Sequence, residues 1–198
     1  MKVLLINGSR REKGCTYTAL REVAGALEKN GIETVMLHVG KRALNGGIDV
    51  LVHEAAEVMK DCDGLVVGSP VYYASPSGEV LAFLDRFFWS HKKILEFKPG
   101  AAVVSARRAG TTASIDVLNK YFTINQMPLV SSRYWTMVHG NTPDEVVQDE
   151  EGMLVMRALG NNMAWLLKSI EAGRAAGIAL PEQEASRSTN FIRRNPVG

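Results

Sequence analysis

KVLLINGSRREKGCTYTALREVAGALEK, residues 2–29, passes through three kinds of chain in succession. Residues 2–7 form an apolar run without alternation, residues 8–15 a basic and hydroxyl-bearing turn, and from 16 to 29 the apolar residues Leu20, Val23, Ala24 and Leu27 recur at helical steps. A strand with no polar face is covered on both sides, as in a parallel sheet, and the stripe that follows fits a helix lying on that sheet. The same alternation continues down the chain. Strands are expected at 2–7, 33–39, 64–68, 101–105 and 134–139, and helices at 16–29, 50–60, 79–90, 112–125 and 153–172. Five such repeats predict a doubly wound α/β domain. Both common strand orders of that architecture place a ligand at the carboxyl ends of the strands, near the topological switch. Residues 40–49, GKRALNGGID, show little periodicity and are expected to form a surface loop; the chain beyond Gly173 is too irregular for core. The expected division is a domain over 1–175 and a tail over 176–198.

Bulk composition narrows the function without naming it. With 198 residues, 46% hydrophobic and 22% charged, the chain is long enough for one core and short for two. Twenty-three basic against 21 acidic residues give a net charge of +2, far from the balance expected of a nucleic-acid binder. Cys15 and Cys62 are the only cysteines and form no CxxC pair, so neither a disulfide framework nor a zinc site is expected. His38, His53, His91 and His139 have no metal-like spacing. The opening MKVLLING is too short for a signal peptide, and no stretch is long enough to span a bilayer. A cytoplasmic location without membrane or nucleic-acid partners is expected.

Three ligand-binding patterns compete for the first turn. A P-loop needs four residues between its glycines and then Lys-Ser/Thr, but five separate Gly8 from Gly14, and Cys15-Thr16 follows. A dinucleotide fingerprint needs GxGxxG and an acid ending the second strand, where this chain has GSRREKG and LHVG. Neither fits. What remains is a loop with Ser9, Thr16 and Thr18 around a helix N-terminus, where unpaired backbone N–H groups and the helix dipole favour an anion. Arg10, Arg11 and Lys13 add charge. Alone, this stretch is equally a phosphate site or a solvated βα turn.

The later loops decide between them. GSPVYYASPSGEVLAFLDRFF, residues 68–88, puts Pro70, Val71, Tyr72 and Tyr73 at the end of the third strand, with Ser77 placed to cap the next helix. SARRAGTT, residues 105–112, brings Ser105, Arg107 and Arg108 to the same sheet edge. Phosphate donors, a flat aromatic wall and a positive rim together suit FMN.

NGSRREKGCTYTAL (7–20), GSPVYYASPSGEVLAFLDRFFW (68–89) and RSTNFIRR (187–194) resemble the flavodoxin-like NADPH-dependent FMN reductase family, in its branch near the iron–sulfur flavoproteins. The resemblance implies a flavodoxin-like five-stranded parallel sheet of order 2-1-3-4-5 with helices on both faces. It carries the phosphate loop onto Ser9, Arg11, Cys15 through its backbone, Thr16 and Thr18. The ring loop falls on Pro70, Val71, Tyr72 and Tyr73, and a third contact on Ser105, Arg107 and Arg108. The implied activity is an NAD(P)H-dependent oxidoreductase passing hydride through FMN to a small-molecule acceptor such as a quinone or flavin. The alternative is a flavodoxin-type electron carrier. Because the cofactor supplies the chemistry, no catalytic side chain is assigned. Iron–sulfur flavoproteins carry clustered cysteines where this chain has VGKRALNGGIDV, residues 39–50, so a cluster is not expected here. The aromatic run Phe83, Phe87, Phe88 and Trp89, with the tail, points to a homodimer or tetramer.

Overall fold

The computed structural model describes residues 1–185. Strands β1 (Lys2–Asn7), β2 (Glu33–His38), β3 (Gly64–Tyr72), β5 (Gly100–Ala106) and β6 (Met137–His139) form a parallel sheet in the order β2-β1-β3-β5-β6; β4 (Ser75–Pro76) folds back antiparallel on the end of β3. Setting that small arm aside, this is the expected order 2-1-3-4-5.

Successive strand residues part into two cores, as parallel strands covered on both faces require. Leu4, Ile6, Leu65, Val67, Ala102 and Val104 face one way. They meet α2 (Gly40–Leu44), α3 (Ile48–Lys60), α4 (Gly78–Ser90), α5 (Lys92–Leu95) and α6 (Thr111–Ile124). Val3, Leu5, Val66, Ala101 and Val103 face the other way, toward α1 (Cys15–Lys29), α7 (Pro143–Gln148) and α8 (Glu150–Ala175). Helix α1 packs along α8, where a Cβ on Gly160 would meet Ala26 Cβ and the Val23 carbonyl, both at 2.6 Å. No helix of the described residues is long and apolar enough to cross a membrane.

Three expectations change. The expected loop at 40–49 contains the single-turn helix α2 and the start of α3, because Val39 and Ala43 are buried and hold that turn against the core. One turn is too short to show a period. The expected strand at 134–139 enters the sheet only at Met137; Tyr134 and Trp135 pack edge to face with ring centroids 4.9 Å apart and are exposed. The residues ahead of them run beside α8, where Ser132 Oγ donates to the Val155 carbonyl and Asn162 Nδ2 to that of Ser131. Of the aromatic run on α4, Phe83, Phe87 and Phe88 are core and Trp89 alone faces out. Helix α7, unforeseen, follows TPDE: Thr142 accepts from Glu145 N and Pro143 occupies the first turn.

Candidate functional site

Asn7, the last residue of β1, is fully buried and its side chain shapes the turn that follows. Its Oδ1 accepts from Ser9 N at 3.1 Å and its Nδ2 donates to the Glu12 carbonyl at 2.8 Å. Arg11 N donates to Ser9 Oγ, and His38 Nε2 lies 2.6 Å from the Ser9 carbonyl. The turn is thus held from inside and from β2. Helix α1 begins beside it with no side-chain cap on Gly14 and no acid in its first turn. By contrast α4, α7 and α8 are capped by Ser77, Thr142 and Asp149 and carry acids in their first turns. The leading N–H groups of α1 have no intrahelical acceptor, so this end of the sheet offers donors to an anion.

A cleft of about 720 Å³ opens there, within the range of small-molecule and cofactor sites. Of the residues expected from sequence, Ser9, Arg11, Cys15, Thr16, Pro70, Val71, Tyr72, Ser105 and Arg107 line it. Three stand outside the lining. Thr18 Oγ1 donates to the Gly14 carbonyl one turn back, Tyr73 is fully exposed at the tip of the β3–β4 arm, and Arg108 points to solvent. Unforeseen contributors are Arg10, Lys41, Leu44, Asn45, Ala106, Gly140 and Asn141. Lys41, Leu44 and Asn45 arrive because α2 is folded against the turn: a Cβ on Gly40 would lie 2.2 Å from the Ser9 carbonyl oxygen. Gly140 and Asn141 follow the last strand, so the rule that ligands gather at strand ends, applied to β6, would have found them.

Four cations and no carboxylate line the cleft among the described residues. Arg11, Lys41 and Arg107 make no ion pair among those residues, and Arg10 has only Glu79 at 3.9 Å. Such a cleft favours a phosphorylated or otherwise anionic ligand.

Short polar ties fix the loops to one another. Thr16 Oγ1 and Ser105 Oγ meet at 2.8 Å in a buried contact that joins α1 to β5. If Ser105 donates, the Thr16 proton remains free for a ligand. Ser77 Oγ donates to the Gly8 carbonyl, while its N–H donates to Ser69 Oγ. The Cys15 thiol lies 3.7 Å from the Gly140 carbonyl, and burial raises its pKa above the ordinary thiol value. That environment suits a neutral structural thiol rather than a nucleophile. The arm carrying Tyr72 turns through Tyr73 and Ala74, both at positive φ (50° and 59°). It rests on Gly110, whose φ is 95° and where a Cβ would lie 2.6 Å from Ala74 Cα, so a side chain has no room.

Comparison with known proteins bears on the family and the fold. An iron-sulfur flavoprotein of Methanocaldococcus jannaschii is 30% identical over 195 residues, covering 86% of this chain and 100% of that one. The flavoenzyme NAD(P)H:(acceptor) oxidoreductase FerB of Paracoccus denitrificans superposes with a TM-score of 0.67 at 15% identity, over 85% of this chain and 97% of that one. A flavodoxin from the domain Archaea gives 0.64 at 14% identity, over 85% and 99%. These structural likenesses bear on the fold. This chain has two cysteines, Cys15 at the cleft and Cys62 buried in the core. No group of three or more His, Cys, Asp or Glu among the described residues is placed to hold a metal. Residues 1–142 match the NADPH-dependent FMN reductase family, a family of flavin-binding oxidoreductases, and the chain belongs to it.

Proposed function

We propose that this chain is an FMN-dependent NAD(P)H oxidoreductase that passes hydride from a nicotinamide nucleotide to a small-molecule acceptor such as a quinone or another flavin. The observation that carries the reading is the cleft itself: an uncapped helix N-terminus, four cations without a carboxylate, and the Pro70–Val71–Tyr72 wall, all at the carboxyl edge of the sheet. Its donor set fits FMN. Ser9, Arg11, Thr16 and the Cys15 N–H would hold the phosphate, and Pro70, Val71 and Tyr72 would flank the ring. Bound there, FMN would supply hydride acceptance and donation. Arg107 at the rim would favour negative charge on the reduced ring. Thr18, Tyr73 and Arg108 would not touch the cofactor directly.

The relative in Paracoccus denitrificans, whose name gives it an NAD(P)H:acceptor activity, supports the same reaction class. Self-association also belongs to this reading: Tyr134, Trp135 and Trp165 are exposed beside α8 and would bury apolar surface between copies. Sedimentation equilibrium tests that part, and a concentration-independent monomer would remove it. The decisive experiment is the absorption spectrum of the purified protein with added FMN, followed by anaerobic NADH and NADPH titration. Bleaching of bound FMN by either nucleotide is expected. FMN that binds but is reduced by neither would transfer the chain to the electron-carrier alternative, and failure to bind FMN would overturn both.

A further inference from the structure

Helix α2 turns one face to the cleft. Lys41, Leu44 and Asn45, at steps of i, i+3 and i+4, line it, while Arg42 pairs with Glu54 at 2.6 Å outside the lining and Ala43 is buried. The helix meets the first turn at a single backbone contact, where a Cβ on Gly40 would lie 2.2 Å from the Ser9 carbonyl oxygen and 2.7 Å from the Arg10 nitrogen. Lys41 directly follows Gly40, so two cations, Arg10 and Lys41, flank that contact. The Arg10 side chain has only Glu79, at 3.9 Å, and Lys41 has no acidic partner among the described residues. Like charges side by side in a lining without a carboxylate attract an anion between them.

That anion is not the FMN phosphate. A phosphate monoester carries about 1.5 to 2 negative charges at neutral pH. The N-terminus of α1 supplies roughly half a positive charge and Arg11 a full one, which together nearly offset it. The strand order places the remaining contacts of FMN elsewhere: Pro70, Val71 and Tyr72 end β3 and Arg107 follows β5, on one side of β1, whereas α2 follows β2 on the other. Arg10 and Lys41 are therefore left for a second anionic group. A quinone is uncharged and has no use for them. The diphosphate bridge of a nicotinamide nucleotide, charged on both phosphates, does.

We propose that Lys41 and Arg10 form a phosphate subsite for the hydride donor, separate from that of FMN, and that Lys41 makes the cleft select phosphate-bearing nicotinamide nucleotides over uncharged dihydronicotinamides. The assignment rests on the proposed FMN-dependent reaction. The stretch RSTNFIRR, residues 187–194, lies outside the described residues, and the subsite uses none of it.

The test is anaerobic stopped-flow reduction of the FMN-loaded protein by NADPH, by NADH and by N-benzyl dihydronicotinamide, which has no phosphate. In Lys41→Gln the half-saturating concentration of the reactive nucleotide should rise roughly tenfold, as for loss of a hydrogen bond to a charged group. The limiting rate should be kept, because binding lost equally from ground and transition states leaves it unchanged. The benzyl compound should react as it does with the native protein, and Lys41→Arg should recover most of the nucleotide affinity. Calorimetric titration with the matching oxidised nucleotide should show the same loss without turnover, and FMN affinity from flavin fluorescence should not change. Equal losses for the nucleotide and the benzyl compound, a nucleotide affinity that Lys41→Gln leaves intact, or a fall in FMN affinity overturns the subsite and leaves the reaction standing. A native protein that fails to bind FMN, or that is reduced by the benzyl compound and by neither nucleotide, overturns the reaction and the subsite together.

Discussion

Gly40→Ala is a sharp test of the way α2 closes the cleft. The added methyl would lie 2.2 Å from the Ser9 carbonyl oxygen, 2.3 Å from its carbon and 2.7 Å from the Arg10 nitrogen. Ordinary contact at carbon needs about 3.5 Å, so two backbone segments must separate by more than about 1 Å. Ser9 has little freedom to yield, since its N–H is bonded to Asn7 and its carbonyl to His38. Overpacking of this kind costs about 1–3 kcal/mol. Helix propensity alone would favour alanine over glycine by roughly 0.5–1 kcal/mol, so the sign of the effect separates the two explanations. The cost divides between folding and ligand binding according to which segment moves. Falling wholly on binding, it would weaken FMN by roughly 5- to 150-fold, at about 1.4 kcal/mol per decade. Urea unfolding followed by circular dichroism and FMN titration by flavin fluorescence together measure both shares. Gly25→Ala is the control: its Cβ meets nothing within 4 Å inside α1. It should gain roughly 0.5–1 kcal/mol and leave FMN binding unchanged. A Gly40→Ala protein that keeps both its unfolding midpoint and its FMN affinity would refute the packing of α2 on the turn.

Arg11→Ala should weaken FMN by about 1.5–3 kcal/mol, the range for a hydrogen bond to a charged group, and narrow its advantage over riboflavin in parallel titrations. If riboflavin already binds the native protein as well as FMN, the phosphate reading of the first turn is wrong. Tyr73→Asn with Ala74→Gly relieves two left-handed non-glycine residues in a two-residue hairpin turn, and should stabilise the fold by about 1–2 kcal/mol. Calorimetry would register this as roughly 2–8 °C in Tm for a domain of this size. Burial pushes the Cys62 thiol up to about 11, so the folded state holds that proton more tightly than an unfolded chain, whose thiol titrates near 8.5. The resulting stability is present at neutral pH and is lost as pH rises from about 8.5 toward 11. Cys62→Ala should lose less stability than the native protein across that interval in urea titrations, and equal slopes would show that the thiol does not titrate differently on folding.

Parallel strands buried on both faces need side chains that are apolar whichever way they point, and that requirement is written locally in KVLLIN, GLVVG and GAAVV. Those three runs, within an alternation of strand and helical stripe read five times along the chain, therefore determined a doubly wound sheet, and with it the edge where ligand loops gather. The turns after the first, third and fourth of those strands were legible for the same reason: Ser9, Arg11, Cys15, Thr16, Pro70, Val71, Tyr72, Ser105 and Arg107 all reach one cleft. Helix α2 left no periodic trace, because one turn cannot show a period and its helical state depends on Val39 and Ala43 being buried by distant residues. Lys41 and Asn45 enter the site only through that packing. Tyr134 and Trp135 have strand-like side chains, yet contacts with α8 hold the preceding backbone off the sheet until Met137. Thr18 and Arg108 share the chemistry of their neighbours Thr16 and Arg107, and the difference lies in direction. Rotation along α1 hands the Thr18 hydroxyl to the Gly14 carbonyl, and the chain leaving β5 turns Arg108 outward. Residue type and period determined which loops line the cleft, whereas which side chain of each loop faces inward was decided by contacts between segments far apart in the chain, which leave no local signature.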